Sequence, residues 1–328
     1  MSFLIKQMIG GLLAVGLCLS MASCSSSPGD GSSSSENSLV SSQAASSMAS
    51  IPESSLPEDS SISLSSVPEL SEAPVSETDD TTDVSDSSTD EPSGQRETVR
   101  VTIPEGFSLA QIGERLEENG VCTKADLLET ANSYDFSYYP LVATIPDDAN
   151  RCFKLEGYLF PNTYDFYVDM KPQDALGKML RGMESAITDE DQARAEELGY
   201  SMDQIIILAS VIEREAGNKD EVKNVSSVFH NRLKAGQKLQ ADATITYVEN
   251  YLKPNISGDI NRYNSFYNTY KCSALPSGPI ANPGRRAINA ALYPADTNYY
   301  YFVNDANANY YYAETFEEHQ ANIEKAGL

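Results

Sequence analysis

The segment Ile205–Asn218 (IIILASVIEREAGN) sets one carboxylate into an apolar helix face. At about 100° per residue, Glu215 falls between Leu208, Val211 and Ile212, whereas Glu213 leaves the helix about 200° away. Gly217 reads as the helix stop. A carboxyl group on a buried stripe, close to the negative end of the helix dipole, is expected to keep its proton to higher pH than usual. Such a group can protonate a leaving oxygen near neutral pH. The competing reading is a structural glutamate paired with Arg232, Arg285 or Arg286.

The elements that must position Glu215 can be read from caps and periodicity. Glu97–Pro104 alternates as a strand. Ser108 then reads as an N-cap with Gln111 as its capping-box partner, and Leu109, Ile112 and Leu116 form the buried stripe of the helix that follows. Thr123 caps a second short helix running to about Ser133. Glu156–Phe166 is aromatic-rich and broken by Pro161, as in a structured loop or edge strand. Helices are predicted from Pro172 to about Thr188, over Asp189–Leu198, after Ser201, over Asp220–Lys234 and over Arg285–Leu292. Strands at Tyr299–Asn304 and Tyr310–Ala313 and a helix after Thr315 complete an α+β chain in which helices dominate.

The ends and the composition bound the setting. Lys6, an uncharged apolar run from Met8 to Met21, and Ala22-Ser23-Cys24 have the layout of a secretory signal of lipoprotein type, with Cys24 as the acylated first mature residue. The alternatives are an uncleaved anchor or plain secretion. Residues 25–96 are Ser-rich and acidic, with no Lys or Arg before Arg96, so much of the net charge of −25 lies there. Such a segment buries too little apolar area to fold, and a disordered tether is expected. The chain has no basic stripe for nucleic acid. Cys122, Cys152 and Cys272 allow at most one intramolecular bridge. With only His230 and His319 and no CxxC pair, no metal or other cofactor is expected, and His230 reads as structural.

Five ordered stretches resemble the YceG-like family, the endolytic murein transglycosylases of MltG type: EGYLFPNTYDF (156–166), LASVIEREA (208–216), VSSVFHNRLKAGQKLQADATITY (225–247), YNTYKCSALPSGPIANPG (267–284) and AALYPADTNYYYFV (290–303). The resemblance implies a small LysM-like β-α-α subdomain at 97–150 and a catalytic domain at 151–328. Two positions depart from the family pattern: Ala243 and Ser277 stand where proline is usual or frequent. The lipoprotein-like start also differs from the family's usual transmembrane helix.

Carried onto this chain, the family's catalytic acid/base is Glu215. The implied reaction cleaves the MurNAc-β-1,4-GlcNAc bond within glycan strands and leaves a 1,6-anhydro end. A hydrolase of the same strands would instead need two carboxylates, about 5 Å apart for retention and more for inversion. Glu213 leaves the wrong side of its helix, so Asp242 is the candidate for such a pair, its other reading being a turn, cap or substrate-orienting aspartate. A non-catalytic, membrane-tethered wall-binding protein is a third reading. Gln240, Thr244 and Asn268 are candidates to bond sugar hydroxyls and acetamido groups. Tyr267 and Tyr270 are candidates to stack on sugars, or are core. Pro276, Gly278 and Pro279 read as a rigid cleft wall, and Asn231 and Arg232 as residues holding the Glu215 helix. The implied setting is the outer face of the cell membrane, with glycan strands as substrate and peptidoglycan synthases as partners.

Overall fold

A computed structural model describes residues 96–217, 220–272 and 274–328. The signal segment, Cys24 and most of the Ser-rich stretch lie outside the described residues.

The first half begins with strand β1 (Thr98–Thr102), then helices α1 (Leu109–Glu118), α2 (Lys124–Ser133) and α3 (Pro140–Ala143), and strand β2 (Thr163–Tyr167). Local sequence explains the helix starts. Ser108 accepts from the Gln111 backbone N–H while the Gln111 side chain accepts from the Ser108 N–H, a complete capping box. Thr123 caps α2 in the expected way. The partner of the first strand lies far along the chain. β1 pairs antiparallel with β2, from Thr98 opposite Tyr167 to Thr102 opposite Thr163. The expected boundary at 150 would therefore cut between two strands of one sheet. Val101, Ile103 and Phe166 bury that sheet's inner face against Leu109, Ile112 and Leu116.

The second half is helical: α4 (Pro172–Ala186), α5 (Asp189–Glu197), α6 (Met202–Glu215), α7 (Val222–Lys234), α8 (Asp242–Tyr247), α9 (Tyr263–Phe266) and α10 (Arg285–Leu292). A hairpin of β3 (Tyr301–Asn304) and β4 (Tyr310–Ala313) precedes the last helix, α11 (Phe316–Ala326). α6 is the central element: α5, α7, α8 and α10 all pack on it. Every residue from Ile205 to Ile212 is buried, so the helix is enclosed on all sides over this stretch and opens only at its two ends, at Gln204 and from Glu213 on. Its polar positions are matched. Ser210 donates to the Ile207 carbonyl and accepts from the Ile280 N–H. Asp203 accepts from both terminal guanidinium nitrogens of buried Arg151 at 2.9 Å and from the Tyr158 hydroxyl at 2.5 Å.

A second buried carboxylate joins the two halves. Glu156 is 1% exposed. Its oxygens accept from the Leu109 N–H at the start of α1, the Tyr247 hydroxyl at the end of α8 and the Asn282 amide before α10. Burial pushes this carboxyl up to about 8, and the Leu109 and Tyr247 donors oppose the rise. Gly157 follows at φ 87°, where a side-chain carbon would collide with the Pro279 ring. Sequence reasoning placed Glu156 in a motif without a role.

No bridge joins Cys122, Cys152 and Cys272, which are free thiols. Burial raises Cys122 and Cys152 to about 11, so neither is an effective nucleophile near neutral pH.

Candidate active site

Glu215 is the last residue of α6, and the backbone leaves the helix at Ala216 (φ −84°, ψ 83°). The start is fixed by a Ser201–Gln204 capping box, which sets the helix phase. Leu208, Val211 and Ile212, the stripe neighbours of Glu215, are fully buried. The Glu215 side chain is half-buried, and its Oε1 accepts from the Ala243 N–H at 2.9 Å. That N–H belongs to the first turn of α8, whose leading amides have no partner inside the helix. Burial lifts the Glu215 carboxyl from 4.5 to about 7; the Ala243 bond and Arg214 pull it down, and the charge of Asp242 pushes it up.

Of the three arginines considered as partners of Glu215, Arg285 and Arg232 are engaged elsewhere, and Arg286 is exposed. Arg285 forms a fork on Asp191 at 2.5 and 2.8 Å. Arg232 donates to the carbonyls of Tyr300, Lys238 and Leu239 and to Gln240 Oε1. Arg232 and Asn231 therefore do not hold α6, contrary to expectation. Arg232 fixes the loop that leads into α8, and Asn231 bonds the carbonyls of Thr297 and Tyr299. Glu213 projects away from Glu215, as the helical wheel requires, and accepts from the Gly284 N–H at the start of α10.

Three expected binding residues present usable surface near this point. Gln240 is exposed and takes a left-handed backbone (φ 54°), a conformation costing on the order of 1 kcal/mol that the Arg232 bond and its own N–H to the Thr269 carbonyl hold in place. Asp242 is exposed and accepts from the Tyr270 hydroxyl at 2.8 Å. Tyr270 is 37% exposed. Asn268 is half-buried; its side-chain oxygen accepts from the Tyr270 N–H, so it orients Tyr270.

Two expected binding residues prove to be core. Thr244 is fully buried, and its hydroxyl bonds the Ala241 carbonyl and Thr269. Tyr267 is also fully buried; it packs on Tyr247 and Tyr263, and its hydroxyl accepts from the Cys152 N–H. Neither has a face left for a sugar. The buried Thr244–Thr269 pair stitches α8 to the 267–272 loop, and Thr269 was not anticipated although it lies within a recognised motif. His230 is structural: it bonds the Ala291 carbonyl and meets the Tyr200 ring edge-on.

A cavity of about 440 Å³ lies at the other end of α6, lined by Asp203, Gln204, Ile207, Arg151 and Leu275–Ser277 among others. Pro276, expected in a cleft wall, lines it, but none of the expected catalytic or sugar-binding residues does. Among the described residues no group of three His, Cys, Asp or Glu side chains could hold a metal ion.

Comparison with known proteins identifies the architecture. The sequence pattern of the YceG-like family matches residues 78–325. An endolytic murein transglycosylase of Bacillus subtilis (strain 168) is 32% identical over 234 residues, covering 69% of this chain and 64% of the relative. One from Streptococcus pneumoniae serotype 2 is 29% identical over 253 residues, covering 72% and 46%. This chain thus spans about half to two thirds of the length of these relatives. The crystal structure of the yceG-like protein lmo1499 from Listeria monocytogenes is similar with a TM-score of 0.60 and 31% identity, covering 68% of this chain and 75% of that one. With the family pattern covering most of its length and α6, which ends in Glu215, buried at its centre, the chain belongs to the YceG-like family.

Proposed function

We propose that this protein is an endolytic lytic transglycosylase of peptidoglycan, with Glu215 as its single general acid and base. The observation that carries the reading is the placement of the Glu215 carboxyl, at the end of buried helix α6 with one oxygen on the first turn of α8. The carboxyl lies near 7, and the Ala243 N–H, which can only donate, occupies Oε1. A proton on Glu215 therefore resides on Oε2. Oε2–H protonates the bridging oxygen of a MurNAc-β-1,4-GlcNAc bond as the C1–O bond breaks, leaving Oε2 ionised. Oε2 then takes the proton of the muramic acid C6 hydroxyl while that oxygen bonds C1. The carboxyl returns to its starting state, no water is consumed, and the product ends in a 1,6-anhydro ring. Ala243 supports the ionised intermediate state with a charge-assisted hydrogen bond.

Gln240, Asp242, Asn268 and Tyr270 are the binding residues of this reading. The relatives' names support the reaction class. The β1-α1-α2 order closed by β2 supports a LysM-like module, and the Cys24 box supports a lipid anchor that works at the outer membrane face, with synthases as partners.

Mass spectrometry of products from un-crosslinked glycan strands digested by the full chain tests the proposal. Muropeptides one water lighter than hydrolysis products are expected. Reducing ends would replace the mechanism with a two-carboxylate hydrolase using Asp242. Absence of cleavage by the chain on nascent, membrane-linked strands would favour a binding protein.

A further inference from the structure

The end of α6 is held by an element far away in sequence. The Tyr310 hydroxyl on β4 accepts from the Gly217 N–H at 2.9 Å and donates to the Glu215 carbonyl at 3.2 Å. Two residues along the same strand, and so on the same face, the Tyr312 hydroxyl donates to Glu221 Oε2 at the start of α7. The two tyrosines thus grip both ends of the α6–α7 connection. Their rings are held in turn: Tyr310 stacks on Phe302 and Tyr312, Tyr312 stacks on Tyr299, and Phe302 meets Phe229 of α7 edge-on. Arg232 lies against the Tyr301 ring and bonds the Tyr300 carbonyl, tying the same hairpin to the loop that brings Ala243 to Glu215. One hairpin therefore braces both the main chain of Glu215 and the approach to the amide that bonds its carboxylate.

We infer that Tyr310 is a positioning residue for the reaction, with Tyr312 as its support: the β3–β4 hairpin fixes the main chain of Glu215 so that Oε1 meets Ala243 N–H and Oε2 faces the substrate. This rests on the assignment of Glu215 as the acid and base. At the last residue of a helix no i+4 amide reaches the carbonyl; from the described main chain the Glu215 carbonyl accepts only a turn bond from the Gly217 N–H at 3.1 Å, an amide it shares with the Tyr310 hydroxyl, so without that hydroxyl a frayed end would let the carboxylate swing. The Tyr310 hydroxyl supplies that restraint without touching the carboxylate itself.

Tyr310→Phe in the full chain tests the inference, because the ring and its stacking remain and only the hydroxyl is lost. With loosened geometry, kcat is expected to fall about tenfold while KM stays within about twofold. The Ala243 bond also weakens, so the basic limb of the pH–rate profile moves to higher pH. Asp242 and Arg214, the charged groups acting on Glu215, are unchanged by the substitution. A merely structural hydroxyl would lower the thermal midpoint and leave kcat per folded molecule and the pH profile alone. That result, with Glu215→Gln inactive alongside, would overturn the inference. An active Glu215→Gln would remove the catalytic assignment and the inference with it. Should Tyr310→Phe fail to fold, Tyr312→Phe carries the test. The same upward pH shift at smaller size supports the brace, and an unmoved profile refutes it.

Discussion

Replacing Ala243 by proline removes the amide hydrogen that bonds Glu215 Oε1 at 2.9 Å. α8 begins at Asp242, so this N–H serves no helical hydrogen bond and its loss leaves the ladder intact. Asp242, as the residue before proline, is the position that must adjust. The proline ring would also occupy the place of the hydrogen and displace the carboxylate slightly. A hydrogen bond to a charged group contributes about 1.5–3 kcal/mol, and 1.36 kcal/mol corresponds to one pKa unit, so the Glu215 pKa should rise by about one to two units. It starts near 7. In the proposed mechanism the reaction begins from protonated Glu215, so kcat/KM falls as pH rises through its pKa, and that basic limb should move up by the same interval. Initial rates of anhydro-product formation from pH 5 to beyond pH 9 would measure it, as orders of magnitude of activity at the alkaline end are at stake. Ala243→Ser keeps the N–H and should leave the limb in place. If both variants titrate like the wild type, the Ala243 amide does not set the proton affinity of Glu215, and the placement of the proton on Oε2 loses its basis.

Two further outcomes follow from the buried carboxylates. Because the folded-state pKa of Glu215 is raised, its neutral form is favoured in the native state; this stability is present below about 4.5 and is lost as pH rises through about 7. Glu215→Gln should therefore be more stable than wild type above pH 7 by up to on the order of 3 kcal/mol, with the gain vanishing toward pH 4.5; parallel urea titrations at the two pH values would show a constant difference if the argument is wrong. Glu156→Ala strands the Leu109, Tyr247 and Asn282 donors and should cost on the order of 3 kcal/mol or more by denaturant unfolding. A loss below about 1 kcal/mol would mean that water or repacking satisfies those donors.

What was legible in the sequence was local. The Ser108, Thr123 and Ser201 caps act on residues three positions away, and all three helices start where those side chains predict. The placement of Glu215 beside Leu208, Val211 and Ile212 was legible because a long apolar run fixes which side of α6 faces inward. The failures are long-range. The Glu156 partners lie 47, 91 and 126 residues away, and no periodicity connects them. Thr244 and Tyr267 had the right chemistry for sugars, but residue type does not say which side of a short helix or loop faces solvent; both turn inward. α8 itself is only six residues with several β-branched positions, too short for a helical stripe to register. Asp242, Gln240 and Tyr270 share surface near Glu215 because Arg232 and Thr269 hold their loops, a tertiary arrangement that motifs imply only in order.

The pairing of β1 with β2 has a consequence for the order in which the molecule assembles. The strand pairs are separated by about 60 residues of intervening chain, whose closure costs roughly 3–4 kcal/mol of chain entropy. Helices α1 and α2, built from local contacts and good caps, can form before that cost is met. During synthesis β1 must wait, with its edge open, until residue 167 has been made. β1, the first of the described strands to leave the ribosome, thus stays unpaired until about half of the chain has been made, and a fragment ending near residue 150 would keep an unmatched edge.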